Sequence, residues 1–153
     1  MGTGKVNSAM PRLYVARNNN YVSYKLDGGG SGDQLLPPHV SKLEAEYIAI
    51  MYGLNEYFLS WNKELDSRWS NVDPETKNIV NVIEASAQTK RPLPPPVLLC
   101  LSNEKVLLHI SMQKMAPTPR IAKRCREVWQ MTSNIDIKYL LVPKSDNLAF
   151  KGD

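Results

Sequence analysis

Ser41-Lys42-Leu43-Glu44-Ala45-Glu46-Tyr47-Ile48-Ala49-Ile50-Met51-Tyr52-Gly53-Leu54 is the stretch on which the fold turns. Ser41 and Glu44 have capping-box spacing, which predicts a helix starting at Lys42. Counting on from Glu46 in helical steps gives Ala49, Ile50, Gly53, Leu54 and Tyr57, a single apolar stripe. Between Tyr47 and Leu54 the helix is apolar almost all round, as expected for a helix covered on more than one side. Gly53 permits close approach of a neighbour at some cost in helix propensity. Glu46 stands at the N-terminal end of the core-facing stripe. A carboxylate there either points into a site or finds hydrogen-bond partners, unless it is only a helix-start acid favoured by the dipole.

Outward from this helix, Arg12–Arg17 reads as a strand, 18–20 as a turn and Tyr21–Leu26 as an alternating second strand, together a hairpin. Residues 27–33 are glycine-rich, and Gly28-Gly29-Gly30 is no phosphate loop because neither a Lys-Ser/Thr pair nor a helix follows. Residues 34–40 have room for a short third strand, which Pro37-Pro38 would confine to an edge. The first helix should run from 42 to about 61. Asp73-Pro74 starts a further helix, with Ile79, Val80, Val82 and Ile83 on its buried side. Residues 90–96 are proline-rich, either a stiff connector or a Pro-x-x-Pro ligand through Pro92 and Pro95.

Val97–Leu101 is a continuous apolar run typical of a central strand covered on both faces. Residues 104–114 read as helical. Thr118-Pro119 caps another helix whose apolar stripe is Ile121, Cys125, Val128 and Trp129. Residues 135–142 form the last strand, stopped by Pro143. A hairpin followed by alternating helix and strand implies a mixed α/β sheet with helices on its faces.

The length, 153 residues, fits a single domain with a full core, over 11–153, after a flexible leader at 1–10. No apolar run is long enough for a bilayer and no signal-peptide pattern opens the chain, so an intracellular location, cytoplasmic or nuclear, and no membrane partner are expected. Cys100 and Cys125 read as reduced core residues, and the isolated His39 and His109 suggest no metal centre. The net charge is +4 and the excess is uneven. Lys114, Arg120, Lys123, Arg124 and Arg126 form a block with no acid among them. Such a block is either the footprint of a phosphate-binding surface or a solvated helix face. No nucleophile elbow or dinucleotide fingerprint is present.

Ala45-Glu46-Tyr47 and Gly53-Leu54, inside their apolar helix, resemble the first helix of the ribonuclease H-like family, and Val142-Pro143-Lys144-Ser145-Asp146-Asn147 resembles that family's Val-Pro-Arg-x-x-Asn. The resemblance covers roughly residue 12 to the C-terminus. It implies a ribonuclease H-like mixed sheet flanked by helices, with an insertion at about 66–96 carrying an extra helix before the fourth strand. It also implies a two-metal hydrolytic site built from convergent carboxylates. Of those, Glu46 matches. Ala16 stands where the first-strand Asp is expected, Asn103 (or Ser102 with a one-residue shift) where the fourth-strand Asp is expected, and Lys151 at the last Asp position. Glu46 and Asn103 are thus vestigial site residues, and Val40-Ser41-Lys42 lacks the Asn residues that hold the hybrid backbone.

The resemblance therefore implies a catalytically inactive domain with no metal or other cofactor. It would bind nucleic acid, RNA or an RNA–DNA hybrid, through the basic helix. The alternative is a structural or protein-interaction module of a larger polymerase-like or ribonucleoprotein assembly. Degenerate copies of the fold serve that role in retroelement-like polymerases, and the lack of a last helix fits a piece of a longer polypeptide. Trp61, Trp69 and the proline-rich stretch would then be contact surfaces. A third reading is a divergent nuclease using Mg2+, with Glu104, Asp146 or Asp153 compensating.

Overall fold

The computed structural model describes residues 10–70, 93–112, 116–133 and 135–152, with side chains left out at 66–70. The elements are β1 (Arg12–Arg17), β2 (Tyr21–Leu26), β3 (Ser31–Leu35), α1 (Lys42–Ser70), β4 (Val97–Leu101), α2 (Glu104–Ile110), α3 (Pro119–Thr132), β5 (Ile137–Leu141) and a short 3-10 turn (Lys144–Asp146). The five strands lie in the order β3-β2-β1-β4-β5. β1 runs antiparallel to β2 and parallel to β4, β2 is antiparallel to β3, and β4 is parallel to β5. This is the mixed sheet expected from the order of hairpin, helix and apolar central strand.

Each face of the sheet buries a different set of side chains because neighbours on a strand alternate. Leu13 and Val15 of β1 face the main core with Val22, Leu99, Leu101, Ile50, Leu54 and Val128. Tyr14 and Ala16 face the other way, against Cys100, Val142 and Ala149. Helix α1 packs over β1 and β2, and α3 packs against α1. Gly53 makes the close approach possible. A Cβ there would lie 2.5 Å from Cγ1 of Val15. The chain after β5 returns beneath the opposite face, so Val142, Ala149 and Phe150 complete the second cluster.

The boundaries differ from expectation at four places. Helix α1 continues to Ser70, beyond the end of its apolar stripe. Asn62, Lys63, Glu64 and Leu65 contain no breaker, and helix propagation needs no burial once the nucleus exists. Strand β3 is Ser31–Leu35, so it begins inside the glycine-rich stretch 27–33 and overlaps the expected strand at 34–40 only at Gln34 and Leu35. Gly32 leaves room there for the edge-to-face pair of Tyr24 and Tyr52, since a Cβ would meet the Tyr52 hydroxyl at 2.7 Å and the ring would have to shift. The strand is indeed at an edge, and Pro37-Pro38 follows it. Helix α2 stops at Ile110, where Ser111 caps it and Met112 turns into the left-handed region at φ 63°. Strand β5 is trimmed to Ile137–Leu141.

Thr118 caps α3 through its side chain with Pro119 in the first turn, as the sequence predicts. Cys100 and Cys125 are buried free thiols, and burial raises the Cys100 pKa to about 11. His109 is buried in the core, hydrogen-bonded through Nδ1 to the Tyr47 hydroxyl. Among the described residues no helix is long and apolar enough to cross a membrane. Most of the expected leader, the helix at Asp73, Pro92 of the Pro-x-x-Pro motif, Lys114 and Asp153 lie outside the described residues.

Candidate functional site

Four segments converge at one end of the sheet: the end of β1, the first turn of α1, the residues after β4, and the turn after β5. They enclose a cleft of about 120 Å³ lined by Val15, Ala16, Arg17, Glu46, Ser102, Asn103, Lys144, Asn147 and Phe150. Both residues read as vestigial, Glu46 and Asn103, are in it, and so are Ala16 and Ser102. Strand alternation places Arg17 on the same side of β1 as Val15, beneath α1. There its Nε lies 3.4 Å from Oε2 of Glu46, a half-buried ion pair, and Nη1 donates to the Asn18 carbonyl at 3.2 Å.

Burial is the largest influence on Glu46 and raises its pKa, against the attraction of Arg17, a hydrogen bond from Asn103 and the charge of Lys144. Asn103 also caps α2, its Oδ1 accepting from the Val106 amide at 3.1 Å. Its position is therefore that of a helix cap as well as a cleft wall.

The turn after β5 is fastened from beneath. Asn147 is buried and donates from Nδ2 to the Val15 carbonyl at 2.9 Å and to Ser102 Oγ at 3.1 Å. Buried Asn18 accepts from the Lys151 amide at 2.6 Å and donates to Ser23 Oγ at 2.9 Å. Ser23 donates to Asp33 at 2.6 Å, and the Lys151 ammonium closes the chain on the same carboxylate at 2.8 Å. Lys151 thus sits on β3, paired with Asp33, rather than in the cleft.

The basic block on α3 divides. Arg120 Nε and Arg124 Nε reach the two oxygens of Glu44 at 2.7 and 2.8 Å, and the Glu44 side chain is only 2% exposed. Burial alone would raise the Glu44 pKa. The two guanidiniums outweigh that burial and hold it below the usual carboxylate range. Arg124 also pairs with Glu127 at 3.1 Å. Lys123 and Arg126 are exposed, and Arg120 remains 68% exposed beyond its contact with Glu44. None of the described residues of the block lines the cleft.

Reading the sequence missed the Glu44 clamp, Arg17 and Lys144. A signal existed for the first two. Arg120 and Arg124 are one helical turn apart and border the Ile121–Val128 stripe, and alternation along β1 puts Arg17 under α1.

The donor set does not fit a pair of divalent cations, which need several convergent carboxylates. One carboxylate, Glu46, faces the cleft, already paired with Arg17, and the other lining groups include Ala16, amides and a lysine. Among the described residues no group of three or more His, Cys, Asp or Glu is placed to hold a metal ion.

Structural comparison agrees with this topology. Ribonuclease H1 of Halobacterium salinarum NRC-1 superposes with a TM-score of 0.56 at 13% identity, over 92% of this chain and 89% of that one. LC11-RNase H1, solved in complex with an RNA/DNA hybrid, gives 0.57 at 8% identity, over 91% and 88%. The fold is ribonuclease H-like. The N-terminal RNase H domain of rv2228c from Mycobacterium tuberculosis matches at 0.50 with 12% identity, over 90% and 82%. No family model matches the sequence, and no curated protein does. Identities this low carry the ribonuclease H-like fold and not the activity.

Proposed function

We propose that this chain is a catalytically inactive ribonuclease H-like domain that binds nucleic acid, RNA or an RNA–DNA hybrid, through the outer face of α3. The observation that carries the loss of activity is the charge of the cleft, where Arg17 pairs with Glu46 and Lys144 stands across from it. Lys123 and Arg126 and the exposed part of Arg120 support the binding face, with Lys114 as a further candidate outside the described residues. Arg124 contributes field but is held by Glu44 and Glu127. The hybrid bound to LC11-RNase H1 makes a hybrid the first ligand to try.

The test is fluorescence anisotropy with single-stranded RNA, double-stranded RNA, duplex DNA and hybrid at low and moderate salt. Affinity should fall steeply with salt. The double variant Lys123→Glu/Arg126→Glu should abolish binding while leaving the fold intact, because neither residue is buried. Arg120 and Arg124 are unsuitable for such reversal, since Glu there would face buried Glu44. Unchanged affinity in the double variant would overturn the reading.

A structural or protein-interaction role is the second reading, favoured by a groove of about 270 Å³ lined by Pro11, Leu26, Tyr57, Ser60, Trp61, Glu64 and Pro95. No nucleic-acid binding at low salt, with concentration-dependent self-association in sedimentation, would favour it. Magnesium-dependent hybrid cleavage that vanishes in Glu46→Gln would instead establish a divergent nuclease.

A further inference from the structure

The cleft carries more positive than negative charge, and its donors converge. Among the described residues that line it, Arg17 and Lys144 are the cations and Glu46 the lone carboxylate, and Ser102 and Asn103 stand on the same wall. A carboxylate-rich cleft would repel a phosphate unless metal ions intervened. This one has the opposite sign without any ion.

Lys144 is exposed at the rim, 5.2 Å from the centre of the Phe150 ring. Arg17 is held below it by Glu46 and the Asn18 carbonyl, so it acts as a fixed charge. The turn bearing Lys144 is tied to β1 and to Ser102 by Asn147, which sets the position of the ammonium relative to the donors across the cleft. An ammonium is a point charge that takes a phosphate without a fixed approach direction.

We propose that this cleft is a metal-independent phosphate subsite for one backbone phosphodiester of a bound nucleic acid strand, with Lys144 as the contact and Arg17 as the supporting charge. The raised pKa of Glu46 is consistent with this, since a carboxylate that gives up its charge more readily opposes an incoming anion less. The inference deepens the nucleic-acid reading by adding a site that shares no lining residue with the α3 face. It rests on that reading for the ligand class but not for the residues.

The experiment is a heteronuclear NMR titration of the whole chain in EDTA, first with inorganic phosphate and then with a short single-stranded RNA, repeated on Lys144→Gln. Shifts should concentrate at Arg17, Ser102, Asn103 and Lys144 with either probe and disappear in Lys144→Gln. That variant should also weaken RNA binding about fivefold and lower the salt slope by about one ion. A separate titration with Mn2+ should leave these signals unbroadened.

Shifts spread evenly over all surface lysines, or strong Mn2+ broadening confined to the cleft, would overturn the subsite. RNA that shifts α3 alone overturns the subsite and leaves the α3 reading standing. Phosphate and RNA that shift the cleft alone support the subsite and overturn the α3 reading.

Discussion

Glu44 and Glu46 are two positions apart on α1 and have opposite fates. Glu44 is buried against α3 and closed by two guanidiniums, which hold its pKa down despite its burial. Glu46 opens on the cleft, where Arg17 pairs with it, and burial pushes its pKa up. A helix turns about 100° per residue, so residues two apart look in nearly opposite directions. The difference teaches that the resemblance-bearing acid is the less secure of the two, and that the acid which holds the helices together is the one that reads only as a capping-box residue.

The sharpest way to break this comparison is Glu44→Gln. It strips a buried charge from facing guanidiniums and should cost about 2–3 kcal/mol, less than a fully buried pair because Arg120 is largely exposed. Urea denaturation measures it. The matching change Glu46→Gln should alter stability by no more than about 1 kcal/mol, since a neutral amide replaces a group whose charge burial already disfavours. Equal costs for the two variants would remove the contrast.

Packing of α1 on the sheet gives the next effect. Gly53→Ala gains helix propensity of about 1 kcal/mol but drives a Cβ into Val15, so a net loss of about 1–2 kcal/mol is expected in the same denaturation assay. A stabilised variant would mean that β1 and α1 can separate at no cost.

The smallest effect is in pH. The folded-state pKa of Glu44 lies below its unfolded value, so its contribution is full above the unfolded carboxylate range and is lost as pH falls through the folded value. Glu46 runs the other way. Its folded pKa is raised, so its contribution is present at low pH and fades as pH rises through the folded value. Thermal melts between pH 3 and 7, on the order of the ordinary carboxylate range, should show Glu44→Gln flattening the acid limb and Glu46→Gln steepening it slightly.

Much of the fold was legible because its signals are local. The Glu46-to-Tyr57 stripe, the hairpin alternation, the apolar Val97–Leu101 run and the Thr118-Pro119 cap each depend on neighbours in sequence. What escaped depends on tertiary partners. Gly32 reads as loop glycine until Tyr52 is placed over it. Arg120 and Arg124 read as surface charge until Glu44 is placed between them. For the site, Glu46, Asn103 and Ala16 were brought together in advance by the family resemblance, and all three line the cleft. Arg17 and Lys144 were not, because their meaning comes from the tertiary fold that brings both to Glu46.

The central claim is that nucleic acid binds this ribonuclease H-like fold without metal and without being cut. The most direct test is incubation of a labelled RNA–DNA hybrid with the chain in EDTA and in Mg2+, following binding by anisotropy and integrity on a denaturing gel. The account predicts salt-sensitive binding that is no stronger in Mg2+ than in EDTA at matched ionic strength, and an intact RNA strand. Cleavage that requires Mg2+ and is lost in Glu46→Gln would contradict it.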